Sequence, residues 1–120
     1  MKRLFVLVAL AVALAIPPVV SASFGCTTQI TTFALAKNGA ALVSVPAAQG
    51  DRLSIDLYTR GKISARIADV ELGGWLDTTR TGIHSLHAST FAVAPTTTLF
   101  IQSARRAPYR LVVHFGFACP

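Results

Sequence analysis

In the strand predicted over Arg52–Thr59, apolar and polar residues alternate from Arg52 to Tyr58. Leu53, Ile55 and Leu57 fall on one side, and Arg52, Ser54, Asp56 and Tyr58 on the other. Successive side chains of an extended strand point to opposite faces, so this pattern specifies a strand with one face buried and one wet. The same period closes the chain: Tyr109, Leu111, Val113 and Phe115 share one side, Arg110, Val112 and His114 the other. Two such half-apolar ribbons oblige the rest of a short chain to cover them, which restricts it to layered β architectures.

Further strands are predicted over Gln29–Leu35, Ala41–Val45, Ile63–Val70, Ser85–Ala94 and Thr97–Ser103. Lys37-Asn38-Gly39, Pro46–Asp51, Arg60-Gly61-Lys62 and Pro95 punctuate them. Thr97–Ser103 and Tyr109–Phe115 are expected to pair as a hairpin about Ala104–Pro108. A long polar connection from Glu71 to His84 carries Gly73-Gly74 and the single tryptophan, Trp75. Seven to eight short strands with frequent turn signals predict an all-β fold, a jelly-roll-like antiparallel β-sandwich.

The start of the chain has a different character. Met1-Lys2-Arg3 is basic, Leu4–Ile16 is an unbroken apolar run, and Pro17-Pro18 leads to the small-residue stretch Val20-Ser21-Ala22. These are the three regions of a secretory signal peptide, with cleavage expected between Ala22 and Ser23. The apolar run is shorter than the roughly 20 residues a spanning helix needs and ends in two prolines, so the mature form is not expected to span a membrane. Ser23 and the bulky Phe24 before Gly25-Cys26 do not suit a lipid-attachment site. Residues 1–22 are therefore read as signal peptide and 23–120 as a single domain, secreted or periplasmic.

Two cysteines, Cys26 and Cys119, sit at opposite ends of that domain. In an oxidising compartment an isolated pair in a small domain reads as a disulfide, joining the termini. The whole chain has eleven Lys and Arg against five Asp and Glu; with Lys2 and Arg3 in the leader, nine face five, a net charge of +4. Along the sequence these charges look scattered, with no run beyond Arg105-Arg106. No basic stripe or nucleic-acid motif is present, so no nucleic acid is expected as a partner.

Val43-x-Val45 followed by Gln49-Gly50-Asp51-Arg52-Leu53-x-Ile55-x-Leu57 resembles the early strands of the bacterial pre-peptidase C-terminal domain. Leu99-x-Ile101 with Tyr109-x-Leu111-x-Val113 resembles that family's closing strands. The resemblance spans about residues 30–115 and implies a jelly-roll-like sandwich of the kind appended to secreted hydrolases for secretion or for binding substrate or matrix. Glu71-Leu72-Gly73-Gly74 stands where that family often has an acidic Asp-x-Asp-Gly turn, so calcium binding is not carried over.

Few residues offer chemistry. His84 and His87, three apart, would face opposite sides of a strand; only a turn would bring them, with Asp77, to one ion. No metal or other cofactor is predicted. The five carboxylates Asp51, Asp56, Asp69, Glu71 and Asp77 include no evident acid–base pair, with Asp56 expected in a cross-strand pair beside Arg66 or Arg110. No G-x-S-x-G elbow is present and the disulfide removes a cysteine nucleophile, so the chain is not read as an enzyme.

The segment from Gly73 to Gly82 combines an aromatic ring, hydroxyls and an arginine. On a sandwich rim Trp75 could stack on a sugar or peptide while Asp77, Thr78, Thr79 and Arg80 form hydrogen bonds. Alternatively Trp75 folds back into the core. Tyr58, outward beside Arg52 or Arg60, is a second contact. The expected function is a small exported, non-catalytic binding module for an envelope glycan or other extracellular polymer. The other reading is an inhibitor or accessory subunit whose partner is a secreted protein.

Overall fold

The computed structural model describes residues 19–23 and 25–119. The basic start and apolar run of the expected leader lie outside them. Ten strands form two antiparallel sheets. They are β1 (Val19–Ser23), β2 (Cys26–Leu35), β3 (Ala40–Val45), β4 (Arg52–Thr59), β5 (Ala65–Asp69), β6 (Gly74–Trp75), β7 (Thr79–Gly82), β8 (Ser85–Phe91), β9 (Thr97–Ser103) and β10 (Ala107–Phe115). The large sheet runs β1-β2-β10-β4-β8-β7 and the small one β3-β9-β5-β6. This is the expected jelly-roll-like sandwich.

Alternation in the sequence becomes layering in space. Leu53, Ile55 and Leu57 of β4 and Leu111 and Val113 of β10 are fully buried and meet Val43, Val45, Ile67, Leu99 and Ile101 of the small sheet in one core. Each such aliphatic side chain removed from water contributes about 1.5–3 kcal/mol. Polar bridges also cross between the layers. Gln29 Nε2 donates to the carbonyl of Ser44 at 2.8 Å, and Thr90 Oγ1 donates to Asp69 Oδ2 at 2.9 Å.

All seven strands expected from the sequence are present, and three are added. β6 and β7 lie within the polar connection 71–84, and β1 pairs Val19–Ser23 with Cys26–Ile30. Val19–Ala22, read from the sequence as the end of the leader, is thus the edge strand of the large sheet.

The expected hairpin of β9 with β10 is not formed. β9 pairs with β3 and β5 in the small sheet, whereas β10 pairs with β2 and β4 in the large one. Ser103 Oγ, bonded to Tyr109 Oη and to the carbonyl of Arg105, fastens the crossing between layers. Alternation marks an inward face but not the sheet to which a strand belongs.

Cys26 and Cys119 are bonded, with Cα atoms 4.8 Å apart. Close backbone packing surrounds the bond. A Cβ on Gly116, whose φ is +136°, would stand 2.4 Å from the carbonyl oxygen of Gly25.

Candidate functional site

The antiparallel register arranges the outward side chains of the large sheet in rows. One row runs Thr28, His114, Ser54, Ser89; the next Ile30, Val112, Asp56, His87, Thr79; a third Thr32, Arg110, Tyr58, Ser85. Asp56 accepts from or pairs with His87 rather than an arginine, its Oδ1 lying 2.9 Å from His87 Nδ1. Arg66 belongs to the other sheet and Arg110 stands one row away, opposite Tyr58. His114 Nδ1 lies 2.8 Å from Thr28 Oγ1.

His87 Nε2 is 3.4 Å from Ser89 Oγ, so Ser89, His87 and Asp56 have the atom order of a hydrolytic triad. Acyl transfer also needs donors preorganised around the developing oxyanion. Ser89 stands exposed on an open strand face. These three residues form a polar hydrogen-bonding patch across two adjacent rows, with Asp56 holding the imidazole in place.

Of the five residues singled out in the 73–82 segment, Trp75 is set apart. It lies in β6, opposite Ala68, half-buried on the outer face of the small sheet. Its ring packs edge-on to the buried Phe100, with centroids 5.9 Å apart, and the Arg66 guanidinium lies 3.9 Å from its centroid. It therefore covers a satellite apolar cluster with Leu42 and Val70, outside the main core. Asp77 and Thr78 are exposed and carry the chain to the large sheet, where Thr79 and Arg80 form its edge strand β7. Arg80 Nη2 donates to the carbonyl of Ile63 at 3.4 Å. The chain brings these residues along one rim, with the ring on one sheet and the arginine on the other.

His84 and His87 do not meet either. His84 Nδ1 is 2.7 Å from the carbonyl of Gly61, on the turn side of β8. Among the described residues no three His, Cys, Asp or Glu side chains gather as metal ligands would.

Tyr58 is the sequence-predicted contact that the fold develops furthest. It is 37% exposed, with Arg110 5.2 Å from its ring centroid. With Thr32, Pro108 and Arg60 it lines an open groove of about 620 Å³ across β2, β10 and β4. At the other end of the β4 outer row, Arg52 lies 5.5 Å over the exposed ring of Phe91.

The fold also gathers charge that looked scattered. The turns after β2, β4 and β9 lie at one end of the sandwich and carry Lys37, Arg60, Lys62, Arg105 and Arg106. Arg66 and Arg110 occupy the adjoining first halves of β5 and β10, and Arg80, on the β7 strand that runs toward this end, reaches it through the carbonyl of Ile63. Asp51, Asp69 and Glu71 stand at the opposite end, where Asp51 accepts from Ala48 N and Glu71 from Thr98 N. Sequence order hides this segregation, because it depends on which strand ends the topology brings together.

No family model matches the chain, and no curated protein matches it in sequence. Among solved structures, the pre-peptidase C-terminal domain of a collagenase from Bacillus anthracis superposes with a TM-score of 0.53. It covers 70% of this chain and 86% of that one at 11% identity. The fold is that of a pre-peptidase C-terminal domain. A periplasmic inhibitor of g-type lysozyme from Aeromonas hydrophila aligns over 87% of this chain and 94% of its own, at 12% identity and a TM-score of 0.48. The first of these bears out the family resemblance read from residues 30–115 at the level of fold.

Proposed function

We propose that this chain is a small exported, non-catalytic module that binds an envelope component or extracellular polymer through the outer face of its large sheet. The observation that carries the reading is the Tyr58 groove. A half-exposed aromatic ring sits beside Arg60 and Arg110 in an open channel, and Thr32 adds a hydroxyl. Sugar rings stack on aromatic faces, while guanidinium and hydroxyl groups take their oxygens.

The rim formed by Trp75, Asp77, Thr78, Thr79 and Arg80 is the second candidate contact. Arg66 already occupies one side of the Trp75 ring. Export by cleavage after Ala22 fits this role and would leave Ser23 as the first residue.

Co-sedimentation of the oxidised protein with envelope fractions and insoluble polysaccharides tests the reading. Pelleting that Tyr58→Ala weakens and Trp75→Ala leaves unchanged per folded molecule is the expected result. The reverse pattern would move the contact to the Trp75 rim, and absence of pelleting with every polymer would overturn the function.

A further inference from the structure

We infer that the basic end of the sandwich docks a polyanionic glycan chain; this rests on the polymer-binding reading and assigns its ligand class. Eight of the nine Lys and Arg beyond residue 22 lie at or beside that end, and Arg52 alone lies toward the other. Among the described residues the one carboxylate ion pair is His87–Asp56, so no described carboxylate neutralises any of these cations. Four of the five carboxylates are engaged elsewhere, by Ala48 N, His87, Thr90 and Thr98 N.

Shape accompanies the charge. Besides the Tyr58 groove with Arg60 and Arg110, an open groove of about 590 Å³ contains Arg106 and Pro108. Another, of about 380 Å³, is lined by Arg66, Asn38 and Gln102 on the small sheet. All three ring the same end, each has at least one arginine, and no Asp or Glu lines any of them. A flexible chain bearing repeated acid groups can place them in successive grooves, which one compact anion cannot do.

The positions of apolar side chains favour a polymer over a lipid surface. Membrane-binding basic surfaces combine cations with apolar side chains on one face. Here exposed Leu72, Phe91, Val93 and Phe117 stand at the opposite end, and near the cations stand only Ile83 and the single ring of Tyr58, too little apolar surface to insert into a bilayer. Several cations held without a carboxylate beside them on one low-dielectric body also raise the local concentration of a polyanion and speed its capture.

Titration of the oxidised, exported protein with soluble polygalacturonate tests the inference, with neutral dextran and phosphatidylglycerol vesicles as comparators. We expect binding to polygalacturonate, none to dextran, and an affinity loss of about tenfold or more between roughly 50 and 200 mM salt. The double reversal Arg60→Glu/Arg106→Glu should lose about tenfold or more, whereas Arg52→Glu should stay within about twofold. These side chains are exposed and their reversal disturbs no ion pair, so circular dichroism should report an intact fold.

Equal loss in Arg52→Glu, dextran binding as tight as polygalacturonate binding, or tighter binding to the vesicles would overturn the inference. Pelleting with an insoluble neutral polymer without affinity for polygalacturonate would overturn the ligand class and leave the polymer-binding reading standing. Binding to no polymer in either format would overturn both.

Discussion

The guanidinium of Arg66 lies 3.9 Å from the ring centroid of Trp75, and beneath that ring Phe100 is 99% buried on what is nominally the outside of the small sheet. A one-ring cover thus lets a strand bury both of its faces. Trp75→Ala should uncover Phe100 and cost about 2 kcal/mol, less than for a fully enclosed tryptophan because the ring is half-buried. Urea unfolding with an unchanged m-value would check this; a loss below about 0.5 kcal/mol would show that the cluster does not depend on the indole.

Tyr58→Ala should behave in the opposite way. Its side chain points outward and contributes nothing to the main core, so stability should change by less than about 0.5 kcal/mol. Polymer pelleting should fall several-fold. Tyr58→Phe keeps the stacking face and should retain most binding; equal losses in both variants would assign the effect to the hydroxyl.

Asp69 is fully buried and ties three things together. Its carboxylate accepts from Thr90 Oγ1 across the sandwich and from Leu72 N within its own turn, while its carbonyl accepts from Gly73 N. Asp69→Ala should cost about 2–3 kcal/mol by leaving buried donors without partners, and Thr90→Val about 1 kcal/mol. Thermal unfolding of the two single variants and the double variant should show strong non-additivity, because they share one bond.

Replacing both cysteines by serine should remove about 4 kcal/mol, since the bond spans 93 positions and closes nearly the whole domain into a loop. For a domain of this size that corresponds to a melting point lower by more than about 15 °C. Equal stability of oxidised and reduced protein would contradict the closed-loop argument.

The first residue of the exported protein is expected to be Ser23, readable by intact-mass spectrometry. Cleavage there removes four of the five residues of β1 and bares the Cys26–Ile30 edge of β2. A start upstream of Val19 would instead keep β1 in the sheet.

Inward positions were legible wherever alternation was long. Leu53, Ile55 and Leu57, and Tyr109, Leu111, Val113 and Phe115, all face the core as their spacing requires. β6 and β7 were illegible because two and four residues are too few to show a period, and every residue of β7 is exposed. The crossing from β9 to β10 was missed for a different reason. A turn at 104–106 can return a strand to its neighbour or carry it to the facing sheet, and side-chain polarity reads the same in both cases. Tyr58 was legible as an outward residue, but its groove depends on the meeting of β2, β10 and β4.

The disulfide sits at the far end of β10 from Arg110, so the chain emerges at Cys119 on the side away from the cations. A linker attached there becomes a natural handle. Anchored to a sensor chip by that handle, the molecule stands with its arginine-rich tip toward the solution. Anchored through lysine chemistry it is held by Lys37 or Lys62 and hides the same tip, and the two mountings should give different binding signals.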